Sequence, residues 1–405
     1  MGRTGQAAHT IAIFTLAGED GCDNQRKVPS MKITRVTATT IHVPIKIALV
    51  GAERQSSMSA CLVDIETDNG LVGHGFTAIT DPPVISRIIE TVAGPEIIGD
   101  DPLAHERIWD KLYWTLMPRG QTGYAAHALA AIDVALWDIK GKFFKQPVWR
   151  LLGGSREKVP VYVTFGFDFF DRDQLGEAAK LWVKRGFNRL KMTVGHSGLA
   201  RRDSRPLLEL IREDERRVRA VREAAGEGVE IFVDANCSLD LYHAQKVAEF
   251  IRPYGISFFE EPITQNDALL MAQLRRTCGI PLACGQNEGL LFRFRDLLRA
   301  EAIDFAQPNV VISGGFTQCL KIAGLAAAFN VPTINGGAWQ YHNMHLQGGI
   351  ANGSLVEIHY LANELYQRVY TGLPTPENGW LALPERPGLG FAPNPDAVRE
   401  YARNA

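Results

Sequence analysis

Asp234, Glu260 and Gln286 recur at an interval of 26 residues, and each closes a short apolar run: Ile231-Phe232-Val233, Ile256-Ser257-Phe258-Phe259 and Pro281-Leu282-Ala283-Cys284. Two carboxylates and an amide are oxygen donors, which suit a hard divalent cation, with Mg²⁺ the leading candidate. A period of this length holds one strand and one helix. In a parallel barrel, successive strand ends converge on one mouth, where barrel enzymes carry out their chemistry. The competing explanation for Asp234 and Glu260 is capping of the helices that follow. For Gln286 it is a neutral hydrogen-bonding residue that leaves the cation to two carboxylates and water.

The elements around these residues fit that arrangement. Strand patterns occur near 159–165, 188–194, 230–234, 256–260, 281–284, 303–306, 331–334 and 355–359, with helical patterns in most gaps, such as Leu207–Ala224 and Ala244–Arg252. Eight short strands alternating with helices predict an α/β fold, a (β/α) barrel over 151–375. Upstream, Ile33–Val43, Ser59–Thr67 and Leu71–Phe76 read as strands, with a hairpin signal at Asp68-Asn69-Gly70. Helical patterns follow at about 83–93, 104–115 and 124–144, the last apolar on nearly all sides and so expected to be buried. Three strands followed by three helices predict an α+β domain over 31–150. The Pro- and Gly-rich end, 376–405, is expected to pack back on that first domain. Residues 1–30 read as a disordered leader or an extension, because Met31-Lys32-Ile33-Thr34 resembles a start and the apolar run Ile11–Leu16 is short for a signal peptide.

Composition narrows the partners. The chain has 405 residues, 46% hydrophobic and 22% charged, with a formal net charge of −2. Such a balance gives no reason to expect nucleic acid or a membrane surface, and no apolar run is long enough to span a bilayer. The six cysteines form no CxxC pair, which argues against zinc and redox motifs and for a reducing, cytoplasmic setting.

Several motifs, in order, carry a family resemblance. They are Gly70-Leu71-Val72-Gly73-His74-Gly75, Ala131-Ile132-Asp133-Val134-Ala135-Leu136-Trp137-Asp138, Leu151-Leu152-Gly153-Gly154, Val233-Asp234-Ala235-Asn236, Phe259-Glu260-Glu261-Pro262, Ser313-Gly314-Gly315 and Pro387-Gly388-Leu389-Gly390. Over about 31–400 the chain resembles the enolase superfamily, and within it the mandelate racemase-like group. The resemblance implies a modified TIM barrel under an α+β capping domain, Mg²⁺ on Asp234, Glu260 and Gln286, and a likeness in assembly to homo-oligomers. It also implies a shared first step: abstraction of the proton next to a carboxylate, made feasible by a cation that stabilises the enediolate.

The chain departs from the family pattern at the bases. Lys191 matches the first lysine of a Lys-x-Lys motif, which helps hold the substrate carboxylate, but Thr193 stands where the second, the base, belongs. Asn309 replaces the aspartate of a His–Asp pair, and Asn335-Gly336-Gly337 carries no imidazole. Gln286 replaces the third ligand glutamate, with Glu288 two residues on as a possible substitute. The acid of the eighth strand is kept, as Glu357. Lys191, Glu357 and His342 are the catalytic candidates. Lys191 could serve as the base if a nearby cation lowers its pKa; otherwise it is an ion-pair partner of Asp234 or Glu260. His342 and His345 follow strand seven, where core packing competes with catalysis. Thr193, Asn309, Trp339 and His196 are candidate substrate contacts, and Val50–Gln55 a candidate lid. The expected reaction is dehydration of a small hydroxy acid or sugar acid. Racemisation or cycloisomerisation is the first alternative, and a catalytically impaired acid-binding homologue the second.

Overall fold

The computed structural model describes residues 31–116 and 123–403; the expected leader, 1–30, lies outside the described residues. Strands β1 (Ile33–Leu49), β2 (Ala52–Thr67) and β3 (Val72–Ala78) form an antiparallel sheet in that order. The sequence suggested a break after Val43, because Pro44 follows and proline cannot donate to a ladder. β1 is an edge strand, which tolerates it, and the Pro44 carbonyl accepts instead from Arg368 Nη1 (3.1 Å). The strands therefore run on to Leu49 and from Ala52, with Ile41, Val43, Ile45, Ile47 and Leu49 buried in strict alternation. Val50 and Gly51 make the two-residue turn at the tip, with φ +46° and +78°, as hairpin turns of this length require.

The helix Tyr124–Phe144 is buried on nearly all sides, and β3 lies directly against it. A Cβ at Gly75 would sit 1.9 Å from the Ala131 carbonyl oxygen, and one at Gly73 2.2 Å from that of Ala135; only glycine permits this approach. The same helix joins the sheet domain to the barrel. Its buried Asp133 accepts from Thr317 Oγ1 (2.5 Å) and Thr317 N (3.0 Å), and Trp137 Nε1 donates to Thr317 Oγ1 (2.9 Å). Trp109 Nε1, on helix His105–Leu116, donates to the Gly314 carbonyl (2.8 Å).

The barrel strands are β4 (Lys158–Gly166), β5 (Arg189–Thr193), β6 (Glu230–Asp234), β7 (Ile256–Glu260), β8 (Leu282–Cys284), β9 (Phe305–Ala306) and β10 (Val356–His359), all parallel. Residues 333–335 supply the remaining stave: Ile334 N donates to Ala306 O (2.9 Å) and Asn335 N to Leu355 O (2.8 Å). A helix follows each strand, from Arg172–Lys184 to Tyr360–Val369. Tyr162, Phe232, Phe258, Ala283 and Ile334 fill the interior, joined by Phe305 and Leu355. The rings of Phe232 and Phe258 stack at 4.1 Å. This plug is the floor on which the mouth is built.

The C-terminal segment was expected against the first domain, and it touches both. Trp380–Ala382 first pairs antiparallel with β4. Leu389 N then donates to Asp138 Oδ1 (2.9 Å), and helix Pro395–Ala402 packs on β1.

Candidate active site

Side chains two apart on a strand share a face. Stepping two residues outward from the plug therefore gives the inward-facing rim: Tyr162 leads to Thr164, Phe232 to Asp234, Phe258 to Glu260, Phe305 to Gln307 and Leu355 to Glu357. Lys191 is the cross-strand partner of Phe232, one level below Asp234, and its long stem carries the ammonium up to the rim over the Tyr162 ring (5.6 Å). Lys191 Nζ donates to Asp234 Oδ2 (3.0 Å) and to Glu260 Oε1 and Oε2 (both 2.9 Å), and pairs with Glu357 Oε1 (3.0 Å). All four residues are buried.

The electrostatics of the rim follow from these contacts. A base would need Lys191 with a lowered pKa. Burial pushes that way, but Asp234, Glu260 and Glu357 outweigh it and hold the ammonium well above the ordinary lysine range. In this arrangement Lys191 is a fixed cation. Glu260 is pushed well up by burial and by its neighbour Asp234. Glu357, although buried, is drawn below the ordinary range by Lys191, by His359 and by a hydrogen bond from Ala338 N (2.7 Å). The Thr164 hydroxyl also donates to Glu357.

Gln286 Nε2 lies 3.2 Å from Asp234 Oδ2 and 3.2 Å from Glu261 Oε2, so it borders the same carboxylate as Lys191. Rotating the amide by half a turn would present its oxygen there instead. Three carboxylate oxygens of Asp234 and Glu260 already converge on one positive centre, with an amide beside them. This donor set fits a hard divalent cation. Among the described residues, no three His, Cys, Asp or Glu side chains form such a group by themselves; Gln286 is the amide that borders Asp234. Glu288 does not compete for it. β8 ends at Cys284, and Gly285 at φ +132° breaks the strand alternation on which that expectation rested. Glu288 instead binds Arg293 Nε (2.8 Å) and Asn266 Nδ2 (2.9 Å). Glu261 is a buried structural acid, accepting from Asn266 Nδ2 (3.0 Å), Asn287 N (3.2 Å) and Cys237 Sγ (3.3 Å) as well as Gln286.

Other candidates fall outside the rim. Asn309 spends its amide internally: Nδ2 donates to Gly336 O (2.8 Å) and Gly337 O (3.1 Å), and Oδ1 accepts from Asn343 Nδ2 (2.9 Å) and Val311 N (3.2 Å). It holds the loop after strand seven rather than a substrate. His342 is buried among aromatic rings, stacked on Phe76 at 5.0 Å with Nδ1 2.5 Å from Tyr366 Oη, and burial pushes its pKa well down. It packs the barrel against the first domain and is not with the carboxylates. His345 likewise ties Trp149 N (3.2 Å) to Leu389 O (3.0 Å). Trp339 is fully buried against Phe76 (4.8 Å) and Tyr366 (5.8 Å), a core residue rather than a pocket wall. Thr193 donates to Gly166 O (3.1 Å). His196 sits on the loop after β5, 3.3 Å from Asp168, lining a cavity of about 590 Å³ with Arg201, Arg205 and Arg217. The hairpin tip does reach the mouth: the Arg54 guanidinium lies 4.9 Å over the ring of Phe169, in the loop after β4.

Two rim residues escaped the sequence reading, Gln307 and His359. Gln307 is fully buried, with neither amide atom bonded to any described residue. A Cβ at Gly336 would lie 2.6 Å from its Nε2 and 3.1 Å from Glu260 Oε1, which locates the amide beside the carboxylates. His359 stands two residues beyond Glu357, on the same face. In both cases the signal was the period of two, counted from a plug residue.

Residues 30–153 match the family described as the mandelate racemase / muconate lactonizing enzyme N-terminal domain, and residues 174–397 the enolase C-terminal domain-like family. The chain belongs to the enolase superfamily, in its mandelate racemase-like group. Arabinonate dehydratase of Saccharolobus solfataricus is 31% identical over 351 residues, 85% of this chain and 91% of the relative. D-galactarolactone cycloisomerase of Agrobacterium fabrum is 31% identical over 391 residues, 92% and 99% of the two chains. A crystal structure of L-talarate dehydratase from Polaromonas sp. JS666, complexed with Mg and L-glucarate, superposes with a TM-score of 0.80 at 29% identity, covering 92% of this chain and 97% of that one. Within the superfamily this chain keeps the barrel and the capping domain, with carboxylates at Asp234 and Glu260 and departures from the expected motif residues at Gln286, Thr193 and Asn309.

Proposed function

We propose that this enzyme removes water from a sugar acid in a Mg²⁺-dependent reaction that begins with loss of the proton next to the carboxylate. The observation that carries the reading is the convergence of Asp234 and Glu260 on the Lys191 ammonium, with the Gln286 amide against Asp234, in a member of a superfamily rich in acid-sugar lyases. Asp234, Glu260 and Gln286 would hold the cation. When bound, it lowers the cost of forming an enediolate from a carboxylate. Lys191, released from those oxygens, is placed to bind the substrate carboxylate, and Gln307 offers an unspent donor and acceptor to a hydroxyl. The plug beneath excludes water from below, and the hairpin tip at Arg54 covers the mouth.

Cycloisomerisation is the second reading, supported by the near full-length similarity to D-galactarolactone cycloisomerase. By resemblance the enzyme works as a cytoplasmic homo-oligomer on a small carboxylate. The described cysteines are free thiols, in keeping with a reducing compartment, and no described helix is long and apolar enough to cross a membrane. The test is a Mg²⁺ titration by calorimetry, followed by a panel of aldonates, aldarates and aldarolactones assayed for 2-keto acid. A 2-keto acid formed from an open-chain acid, abolished by chelator and by Asp234→Asn, supports dehydration. A 2-keto acid formed from a lactone by ring opening, with none formed from any open-chain acid, would favour cycloisomerisation, and no heat of Mg²⁺ binding at millimolar metal would refute both.

A further inference from the structure

The superfamily chemistry needs a base on the rim, and neither usual position supplies one. The Lys191 ammonium is engaged by Asp234, Glu260 and Glu357, and Thr193 is a hydroxyl. His342 and His345 lie in the core, and His196 pairs with Asp168 away from the carboxylates. His359 differs from all of these. It ends β10, two residues past Glu357, and so shares the inward face of Leu355 and Glu357. Its cross-strand partner is Thr164, the residue whose hydroxyl donates to Glu357. The ring is only partly buried and packs on Phe167 with centroids 5.3 Å apart. It makes no hydrogen bond to any described residue, and its Nδ1 is enclosed without a partner. The charged groups that face it are Glu357 on its own strand, Lys191 on β5 and Asp234 on β6.

We propose that His359 is the proton-transfer residue of this site. The assignment rests on the dehydratase reading and deepens it. Burial and the Lys191 charge lower the pKa of the imidazole, more than Glu357 and Asp234 raise it, so the ring is neutral near pH 7 and one nitrogen carries a lone pair. That lone pair takes the proton from C2 of the acid, and the C–H electron pair moves into the carboxylate to give the enediolate. The pair then returns to form the C2–C3 double bond as the C3–O bond breaks. The proton held by the imidazolium passes to the departing oxygen, which leaves as water. The resulting enol tautomerises to the 2-keto acid. Atoms and charge balance with no further reagent, and Glu357, ionised beside the ring, stabilises the transient imidazolium.

The test compares wild type, His359→Asn and His359→Gln, each saturated with Mg²⁺, in deuterium oxide with arabinonate, L-rhamnonate and L-glucarate. NMR follows deuterium entry at C2 and 2-keto acid formation. The wild type is expected to turn over at least one acid. Both variants are expected to lose about 10²–10⁴-fold in kcat, the range a general base contributes, while KM and Mg²⁺ affinity stay within about threefold and Tm within a few degrees; a purely structural role would move the latter quantities instead. If either folded variant keeps kcat within tenfold of wild type, the assignment to His359 is wrong while the dehydratase reading stands. A wild type that binds Mg²⁺ yet exchanges no C2 proton from any acid overturns both.

Discussion

Replacing Lys191 by methionine should make the fold depend on Mg²⁺. The ammonium lies 2.9–3.0 Å from oxygens of Asp234, Glu260 and Glu357. At an effective dielectric of about 20, one such contact carries roughly 5 kcal/mol of Coulomb energy, most of it offset by desolvation. Removing one partner of a buried pair typically costs about 3–5 kcal/mol, because the remaining charges have no counter-ion. At about 2 °C per kcal/mol for a chain of this size, Lys191→Met in EDTA should melt roughly 6–10 °C below wild type. Methionine keeps the stem's volume, so packing over Tyr162 is preserved. Added Mg²⁺ should then recover most of the loss, since a ligand bound only by the native state stabilises by RT ln(1 + [L]/Kd). The wild type, in which the ammonium competes for the same oxygens, should gain less and bind Mg²⁺ more weakly by calorimetry. Equal melting temperatures in EDTA, or an equal Mg²⁺ response in the two proteins, would refute the picture of one cation position shared by a lysine and a metal.

Phe232→Ala, which empties the stacked centre of the plug, should cost about 3–5 kcal/mol and lower activity through the rim above it, read as Tm and kcat together. Gln307→Leu should raise KM by about 2–12-fold, the value of one net hydrogen bond, with Tm unchanged; an unaltered KM would mean the amide meets no substrate. Burial pushes the Asp133 carboxyl up to about 7 from its ordinary 3.8, its hydrogen bonds from Thr317 opposing this. The folded state therefore holds this proton where the unfolded state releases it, and the associated stability, about 4 kcal/mol by linkage, is present below pH 3.8 and lost as pH rises to about 7. In Asp133→Asn the curve of stability against pH should flatten over that window, and an unchanged curve would contradict it. Gln286→Glu should tighten Mg²⁺ binding, and Thr193→Lys should weaken it; the double variant should bind closer to wild type than either single one.

The strand pattern was readable because plug residues alternate with the hydrogen-bonded exterior, and a period of two survives in short β-strands. That pattern located the barrel staves, and the structure brings Asp234, Glu260 and Glu357 together around Lys191. It failed where local rules change. Pro44 hid the long hairpin, since nothing local says that β1 is an edge. Gly285 ended the alternation that would have brought Glu288 inward. The helix Gln340–Gly349 is buried along its whole length, so spacing alone could not tell whether His342 faces the mouth or the first domain; Phe76, far away in sequence, decides it. Gln307 and His359 were legible in principle, two residues beyond Phe305 and Glu357, but neither lies within the motifs that carry the family resemblance.

The two departures nearest the proposed cation site belong together. Thr193 is the cross-strand partner of Asp234, and Gln286 lies 3.2 Å from the same Asp234 carboxylate. Relative to the family pattern, threonine for lysine removes one positive charge and glutamine for glutamate removes one negative charge. Three carboxylates at Asp234, Glu260 and Glu357, one ammonium at Lys191 and a divalent cation are then neutral together, as the family set is with one more charge of each sign. Either substitution made alone would leave a unit charge unbalanced in a buried rim, where it costs several kcal/mol. Made together they change the base without changing the balance. On the proposed reading, a site without a lysine at position 193 takes its proton elsewhere, and His359 Nδ1 is an unspent ring nitrogen on the inward face. Coupling between positions 193 and 286 in a double-mutant cycle of Mg²⁺ affinity should therefore be of the order of 1–3 kcal/mol and favourable; simple additivity would mean that the two replacements arose for unrelated reasons.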